Sequence, residues 1–177
     1  MLFDEVYYRN DKNLLDFDNS NIILRNAVRA VIMSGNKILM AHLEKTDEYK
    51  FPGGGRNENE TIEDAVKREV LEEVGYKVIK INEKIGTITE YAVAQEGRNN
   101  IFKMISEYYS VEIENKQLEQ NLDEYEKELL FKPCWIEIKK AFEINLERSK
   151  KGKTTPGINR ETIALRKLSE KYGENNV

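Results

Sequence analysis

The alternation of apolar and polar residues along the chain predicts a series of β-strands. Two β-favouring apolar runs, 28–33 and 37–43, flank Ser34-Gly35-Asn36, a turn sequence typical of a β-hairpin. The same pattern predicts further strands at 77–81, 85–94, 101–113 and 129–138. The polar stretch 95–100 is predicted as a loop between two of them.

Helices are indicated by apolar positions that recur every three or four residues. The first covers 61–74, where Thr61 and Asp64 are spaced like a capping box and Gly75 supplies the residue that commonly ends a helix. The second follows the apolar positions from Ile158 to Tyr172. A shorter helix is predicted around 139–147. Together these elements indicate a mixed α/β protein.

Length and composition favour one domain, 1–177, because no repeat, low-complexity tract or linker marks a boundary. Residues 1–20 are polar, and we interpret them as an arm of unassigned role. The charged fraction is 34%, and no apolar run approaches the ~18 residues that cross a membrane. Because the N-terminus does not resemble a secretory signal and Cys134 is the single cysteine, we expect a cytoplasmic protein.

The predicted first helix changes character along its inward face. At ~100° per residue, the apolar residues of its first turns point to the core side: Ile62, Ala65 and Val66. Glu69, Glu72 and Glu73 fall on the same side in the last turns. Inward carboxylates so close together repel one another unless they are paired or bind a metal, and oxygen ligands of this kind favour Mg²⁺ or Mn²⁺. A solvated acidic face is the alternative interpretation.

The segment before this helix extends the pattern. Phe51-Pro52-Gly53-Gly54-Gly55 predicts a turn whose bare backbone can approach a ligand closely. From Gly54 the chain continues with five residues, Glu60, seven residues and then Arg68-Glu69-Val70-Leu71-Glu72-Glu73-Val74-Gly75-Tyr76. This sequence resembles the Nudix hydrolase signature G-x5-E-x7-R-E-U-x-E-E-x-G-U, where U is an aliphatic residue. All fixed positions match, and Tyr76 at the last aliphatic position is the single departure.

The resemblance implies a loop-helix-loop that holds Mg²⁺ or Mn²⁺ against a diphosphate, which water then cleaves. The metal ligands that it implies are the carboxylates of Glu69, Glu72 and Glu73 and the backbone carbonyl of Gly54. Two further residues match supporting positions. Arg68 would orient a glutamate of the signature through an ion pair, and Glu60 would form hydrogen bonds within the loop or contact the metal through water. The helix dipole explains a carboxylate at this helix entrance equally well.

A carboxylate must also accept a proton from the attacking water. Glu69 and Glu72 are near enough in sequence to serve. Similar proteins often recruit a glutamate from a later loop instead, and the acidic stretch 117–128 supplies candidates: Glu119, Glu124, Glu126 and Glu128. Among these we favour Glu126 or Glu128. Glu107 is a further candidate, and a purely solvated acidic loop is the alternative.

Three residues outside the signature are candidates for substrate binding. Arg25 and Arg29, on or before the first predicted strand, can meet phosphate or base. Tyr91 stands where a tyrosine accompanies dinucleoside polyphosphate cleavage in some similar proteins. Each also has a structural explanation, as a surface arginine or a strand tyrosine. His42 and Cys134 are interpreted as structural.

The expected architecture is the Nudix fold, an α/β/α sandwich around a mixed β-sheet with the signature helix and the C-terminal helix on opposite sides. The expected function is Mg²⁺-dependent hydrolysis of a pyrophosphate linkage in a small-molecule nucleotide. Nucleoside triphosphates, nucleotide sugars, dinucleoside polyphosphates and capped RNA 5′ ends all present this linkage, although a net charge of -4 argues against other nucleic acid partners. A monomer and a homodimer both fit the sequence. The alternative function is a non-catalytic nucleotide-sensing module, against which the complete carboxylate set argues.

Overall fold

The structure is a computed structural model that describes residues 1–9, 22–93 and 100–173. Its strands are Phe3–Tyr8 (β1), Ile22–Val31 (β2), Met33–Ser34 (β3), Lys37–Leu43 (β4), Glu48–Lys50 (β5), Tyr76–Val93 (β6), Ile101–Gln117 (β7) and Phe131–Glu137 (β8). Its helices are Ile62–Val74 (α1), Glu124–Leu129 (α2), Ile138–Lys151 (α3) and Ile158–Tyr172 (α4). None of these helices is long and apolar enough to cross a membrane.

The strands form two sheets. Sheet A has the order β1-β6-β7-β2, in which β6 and β7 are antiparallel and both edge strands run parallel to their neighbours. Sheet B is built on β4, which pairs with β3 and β5 and also with β8. The expected α/β class with a mixed sheet is confirmed. The strands form two sheets, since β2 pairs with β7 in sheet A whereas β4 pairs with β3, β5 and β8 in sheet B.

Two apolar cores lie on opposite faces of β4. Ile38 and Met40 point into a core that includes residues of α3 and α4, whereas Leu39 and Ala41 point into a core that includes residues of α1. Successive side chains of a strand alternate between its faces, so one strand supplies both cores. Helices α1 and α4 therefore lie on opposite sides of the sheets, as the sequence predicted.

Helix α1 begins and ends where the sequence predicts. The Thr61 hydroxyl accepts the Asp64 N–H at 3.1 Å and donates to the Asp64 carboxylate at 2.6 Å. Gly75 has a φ of 74° and donates its N–H to the Leu71 carbonyl at 3.1 Å. Because both ends are set by local contacts, the inward carboxylates of α1 keep a fixed position relative to the preceding turn.

The predicted hairpin is present but shorter than expected. Only Met33 and Ser34 pair with β4, across a turn in which Gly35 has a φ of 59°. Residues 28–31 belong instead to β2, which pairs with β7 in sheet A. This chain segment joins the two sheets, since the Ile32 carbonyl still accepts the Leu39 N–H at 2.9 Å. An apolar run indicates that a strand is buried but not which strand it pairs with, so the sequence pattern does not specify the partner of residues 28–31.

Two polar regions contain more regular structure than the sequence indicated. Within the N-terminal arm, residues 3–8 form β1, and Phe3 packs against Tyr108 with ring centroids 5.3 Å apart. The part of the arm from residue 10 lies outside the described residues, as do residues 95–99 of the predicted loop. The acidic stretch 117–128 includes most of α2, which begins with a capping box between Asp123 and Glu126.

Side chains from α3 and α4 satisfy the outer edge of β5. Asn145 is fully buried, accepts the Tyr49 N–H at 2.8 Å and donates to the Tyr49 carbonyl at 2.7 Å. Glu161 accepts the Phe51 N–H at 3.1 Å. These bonds hold in place the strand that leads directly into the glycine turn, residues 53–55.

Candidate active site

A cavity of about 800 Å³ lies between the inner face of sheet A, helix α1 and the segments that precede α2 and α4. One end, here called the signature end, is formed by the glycine turn and α1. The opposite end, here called the far end, is formed by four charged residues: Arg9, Glu90, Arg160 and Glu161. The volume falls within the roughly 300–1,000 Å³ typical of small-molecule sites.

The glycine turn is fixed to β2 by backbone hydrogen bonds. Val28 donates its N–H to the Gly54 carbonyl at 3.0 Å, and Ala30 donates to the Pro52 carbonyl at 2.8 Å. A Cβ at Gly54 would come within 2.8 Å of the Glu69 carboxylate, so a side chain there would displace this carboxylate from the turn. A carbonyl oxygen has two lone pairs, so the Gly54 oxygen that the resemblance assigned to metal keeps one after binding Val28.

Arg68 is the centre of an ion-pair network at the entrance to α1. Its guanidinium donates to Glu60 at 2.7 and 2.9 Å, to Glu69 at 2.7 Å and to Glu72 at 3.3 Å. A further bond of 3.3 Å reaches the Gly55 carbonyl. The hydrogen bond from Arg68 lowers the pKa of Glu60 to about 2. Arg68 thus connects Glu60 to two of the predicted metal ligands, Glu69 and Glu72.

Glu69 and Glu73 are the buried carboxylates of the signature end, with exposed fractions of 7% and 1%. Burial and then the neighbouring Glu73 carboxylate raise the pKa of Glu69. Glu73 accepts the Gly53 N–H at 2.8 Å and pairs with Lys50 at 3.1 Å. Glu72 is more exposed but belongs to the same Arg68 network. Glu69 and Glu73 therefore line the signature end of the cavity, whereas Glu72 does not line it and is connected to Glu69 through Arg68.

The fit of this end to a divalent cation follows from its donor chemistry. Within the described residues, no group of three or more His, Cys, Asp or Glu side chains is arranged to hold a metal ion as it stands. Arg68 lies between Glu69 and Glu72 in this arrangement. Arg68 engages only one oxygen of each, Oε1 of Glu69 and Oε2 of Glu72, and leaves the other for a ligand. Hard oxygen donors of this kind suit Mg²⁺ or Mn²⁺.

The candidate proton acceptors are separated by the fold. Glu126 lines the cavity, and burial raises its pKa to about 7, with a further contribution from Glu73. Glu119, Glu124 and Glu128 are exposed and do not line the cavity. Glu107 pairs with Lys84 at 2.9 Å on sheet A and is also outside it. Of the glutamates that the sequence offered beyond the signature, the structure places only Glu126 in the cavity, because the α2 capping box orients it inward.

The substrate-binding candidates are also divided. Arg25 and Arg29 both line the cavity from β2. Arg29 is 3% exposed, donates to the Gly53 carbonyl and has a buried Nε with no hydrogen-bond partner among the described residues. Tyr91 does not line the cavity and stacks on Tyr8 with ring centroids 5.3 Å apart. Adjacent strand residues face opposite ways, so Glu90 takes the cavity side of β6 and Tyr91 the other side.

The far end was missed by the sequence analysis. Glu90 accepts from Arg160 at 2.9 Å and pairs with Arg9 at 3.2 Å, and Arg160 also donates to Glu161 at 3.0 Å. Glu90, Arg160 and Glu161 are each no more than 4% exposed. One signal was present, because residue 161 falls on the apolar stripe of α4, three residues after Ile158 and four before Leu165. A charged side chain on an apolar stripe faces the protein interior, and like the inward glutamates of α1 it indicates a buried polar site.

The two residues interpreted as structural have structural contacts. His42 donates a hydrogen bond from Nε2 to the Asp47 carboxylate at 3.0 Å and stacks on Tyr49 with ring centroids 4.6 Å apart. Cys134 is half-buried and packs against the core shared by α3 and α4.

Comparisons with known proteins agree with this geometry. A family model described as NUDIX domain matches residues 23–157. An 8-oxo-dGTP diphosphatase from Buchnera aphidicola subsp. Schizaphis graminum is 39% identical over 59 residues, which are 31% of this chain and 45% of that protein. The chain therefore spans less than half the length of this curated relative.

Two solved structures share the fold. The solution structure of the E. coli ORF135 protein has a TM-score of 0.53 at 16% identity and covers 87% of this chain and 96% of its own. A NUDIX hydrolase from Nitrosomonas europaea has a TM-score of 0.52 at 17% identity and covers 85% of this chain and 91% of its own. At this level of identity the likeness concerns the fold alone.

Proposed function

The chain belongs to the Nudix family, and from that membership we propose that it hydrolyses the pyrophosphate linkage of a small nucleotide with Mg²⁺ or Mn²⁺ as cofactor. The observation that carries the proposal is the convergence of the Arg68 network, the buried Glu69 and Glu73, and Glu126 on one cavity. Nucleotides with this linkage include nucleoside triphosphates, nucleotide sugars and dinucleoside polyphosphates. The Buchnera relative adds 8-oxo-dGTP to the compounds worth testing.

The residues that would hold the cation are Glu69, Glu72, Glu73 and the carbonyl of Gly54. When bound, such a cation neutralises charge on phosphate oxygens and lowers the pKa of a coordinated water. Arg68 keeps Glu69 and Glu72 at fixed positions through one oxygen each. Glu73 is held through both oxygens, Oε1 by Lys50 and Oε2 by the Gly53 N–H. These contacts orient the carboxylates before a cation binds.

Proton transfer falls to Glu126 in this proposal. Its Oε2 accepts the Asp123 N–H at 2.9 Å, which leaves Oε1 to receive the proton of an attacking water. A pKa of about 7 is well suited to this task, since a general base works best when its pKa is near the working pH. Glu69 is the alternative acceptor within α1, because burial also raises its pKa.

Phosphate binding falls to the two arginines of β2. Arg25 is exposed on the cavity floor and has no ion pair or hydrogen bond among the described residues. It lies against the glycine turn, where a Cβ at Gly55 would come within 2.6 Å of its Nε. Arg29 also lines the cavity, with its guanidinium buried. Both guanidiniums can form charge-assisted hydrogen bonds to a diphosphate held at the signature end.

The metal assignment is tested by turnover of a panel of nucleotides with and without chelator. We expect hydrolysis to require Mg²⁺ or Mn²⁺ and to vanish in excess chelator. Glu72→Gln and Glu73→Gln should each lower kcat by at least about 10²-fold while the protein stays folded. Glu63→Gln, on the exposed face of the same helix, is the matched control. Full turnover in chelator would show that no metal is needed, and unfolding of the variants would make these residues structural.

The alternative is a nucleotide-sensing module without catalysis, which would bind nucleotide and release no product. Overnight incubation of micromolar protein with the panel and Mg²⁺ separates the two functions. Nucleotide binding without any phosphate product supports the module, and product formation supports the hydrolase. A single domain over 1–177, a cytoplasmic location, an RNA 5′ end as substrate and the oligomeric state stay predictions.

A further inference from the structure

The far end of the cavity is a closed charge network that the proposed hydrolysis does not use. Two guanidiniums, Arg9 and Arg160, share the Glu90 carboxylate, and Arg160 also binds Glu161. Two positive and two negative groups sum to zero net charge. Burying four charges costs free energy that only well-placed partners offset. Stability of the fold alone therefore does not explain why this network lies at a cavity wall.

The floor between the two ends is apolar. The strand register places Glu90, Met104 and Arg25 in one row across sheet A, with Met104 in the middle. Phe102 and Ile23, two residues before Met104 and Arg25, lie beside this row on the same inner face. The Met104 sulfur accepts a hydrogen bond from Arg160 at 3.1 Å. A flat ring can therefore lie on β7, with phosphates towards Arg25 and its outer edge towards the far end.

Most hydrogen-bonding groups of the far end that have no partner among the described residues are N–H donors. Arg9 has five N–H groups, of which two face Glu90 and the Pro156 carbonyl. Arg160 directs its guanidinium at Glu90, Glu161 and Met104. Arg9 is also the most accessible of the four side chains, with an exposed fraction of 26%. Among the described residues, the group presented to a ligand is thus a guanidinium edge, which requires acceptors opposite it.

We propose that the far end recognises the base of the nucleotide and that it prefers guanine. Because the network is neutral, it offers a second phosphate little attraction, whereas a neutral base with two adjacent acceptors matches the Arg9 edge. Guanine presents O6 and N7 as such a pair, and adenine presents N7 beside an N–H donor. Arg9 is then the specificity residue, Glu90 and Arg160 position it, and Phe102 with Met104 forms the stacking surface.

The inference rests on the proposed function for its diphosphate, but its test does not need turnover. Binding of GMP and of AMP is measured by calorimetry in chelator, with Arg9→Met compared with the unchanged chain. We expect GMP to bind about 5- to 150-fold more tightly than AMP. Arg9→Met should reduce this ratio to within about twofold while AMP affinity stays the same. Equal affinity of the two nucleotides for the unchanged chain would overturn the proposal.

Two control variants separate base recognition from general damage. Arg166→Met removes an arginine of α4 that is 51% exposed and outside the cavity, and it should leave both affinities unchanged. Phe102→Ala should weaken GMP and AMP by the same factor, because stacking does not distinguish bases. If Arg9→Met weakens both nucleotides equally, Arg9 does not read the base and the proposal is wrong. A preference for GMP without hydrolysis of any nucleotide would uphold this inference and overturn the proposed function instead.

Discussion

Glu60 binds the guanidinium of Arg68 through two parallel hydrogen bonds, from Nε to Oε1 at 2.7 Å and from Nη2 to Oε2 at 2.9 Å. This bidentate geometry fixes the plane of the guanidinium as well as its position. The remaining nitrogen, Nη1, is then directed at Glu69 and Glu72. One arginine therefore ties the loop before α1 to the carboxylates on the helix.

The first prediction concerns the pH dependence of this pair. Because Arg68 lowers the pKa of Glu60 from 4.5 to about 2, Glu60 stabilises the folded chain fully above pH 4.5, and the effect disappears as the pH falls towards 2. Glu60→Gln should therefore be less stable than the unchanged chain at about pH 6.5, with a smaller difference at about pH 3. Urea unfolding measures both values. Glu58→Gln, an exposed neighbour, serves as control, and an equal difference at both pH values would contradict the prediction.

The second prediction concerns Glu126 as proton acceptor. A general base acts when deprotonated, so kcat/KM should rise with pH and level off at or below about pH 7, since a nearby divalent cation can only lower the pKa of Glu126. Glu126→Gln should lower kcat by about 10²- to 10⁴-fold and remove this inflection. Glu128→Gln, two residues further on but exposed, should stay within about threefold of the unchanged chain. Similar losses in both variants would argue for a general effect of charge on α2.

A separate readout of Glu126 is stability. Its folded-state pKa of about 7 lies above the ordinary value of 4.5, so the charge of this half-buried carboxylate destabilises the folded chain increasingly between pH 4.5 and 7. Glu126→Gln should therefore unfold at higher urea concentration than the unchanged chain at about pH 8, and this advantage should disappear at about pH 4. A variant that is less stable at both pH values would show that the capping bond to Asp123 outweighs the charge.

The third prediction concerns the glycine turn. In Gly54→Ala, the new methyl group would come within 2.8 Å of the Glu69 carboxylate, which must move away from the turn. We expect kcat to fall by at least about 10²-fold, as after loss of one well-placed electrostatic group, with the fold retained by circular dichroism. Gly35→Asn is the control, because Gly35 has no atom within 4 Å of a new Cβ and its φ of 59° is one that asparagine tolerates. Normal turnover in Gly54→Ala would mean that Glu69 is not required at this position.

The fourth prediction concerns Asn145, whose side chain satisfies both backbone groups of Tyr49. Asn145→Ala leaves a buried N–H and a buried carbonyl without partners, and each costs about 1–3 kcal/mol. We expect the free energy of unfolding to fall by about 2–5 kcal/mol. Asn82→Ala removes an exposed hydrogen bond to Glu112 and should change it by less than about 0.5 kcal/mol. Equal effects would show that the Asn145 contacts do not support β5.

The signature end could be predicted from the sequence because it depends on one continuous segment. A cap at Thr61, a left-handed Gly75 and a period of 3.6 residues set the position of Glu69 and Glu73, whatever the rest of the chain does. Residues 60 and 68 belong to the same segment, and their ion pair follows from its geometry.

The far end could not be predicted in the same way because its residues come from β6, α4 and the position directly after β1. Arg9 and Glu90 are brought together by parallel pairing of β1 with β6, a pairing that no local pattern specifies. Whether Glu90 or Tyr91 faces the cavity depends on which face of β6 is covered. A shift of the strand register by one residue would exchange the two. An acidic run does not show which glutamate a short helix directs inward, so the sequence alone does not separate Glu126 from Glu128.

The way in which α3 and α4 cover β5 also limits how copies of this chain can associate. A strand edge with free N–H and carbonyl groups is a template for pairing with another strand, including one from a second molecule. At β5 the outward groups of Tyr49 bind Asn145, and the Phe51 N–H binds Glu161. A homodimer built by continuing sheet B through this edge is therefore excluded, and the edge is protected from aggregation by side chains that also hold the active-site strand in place.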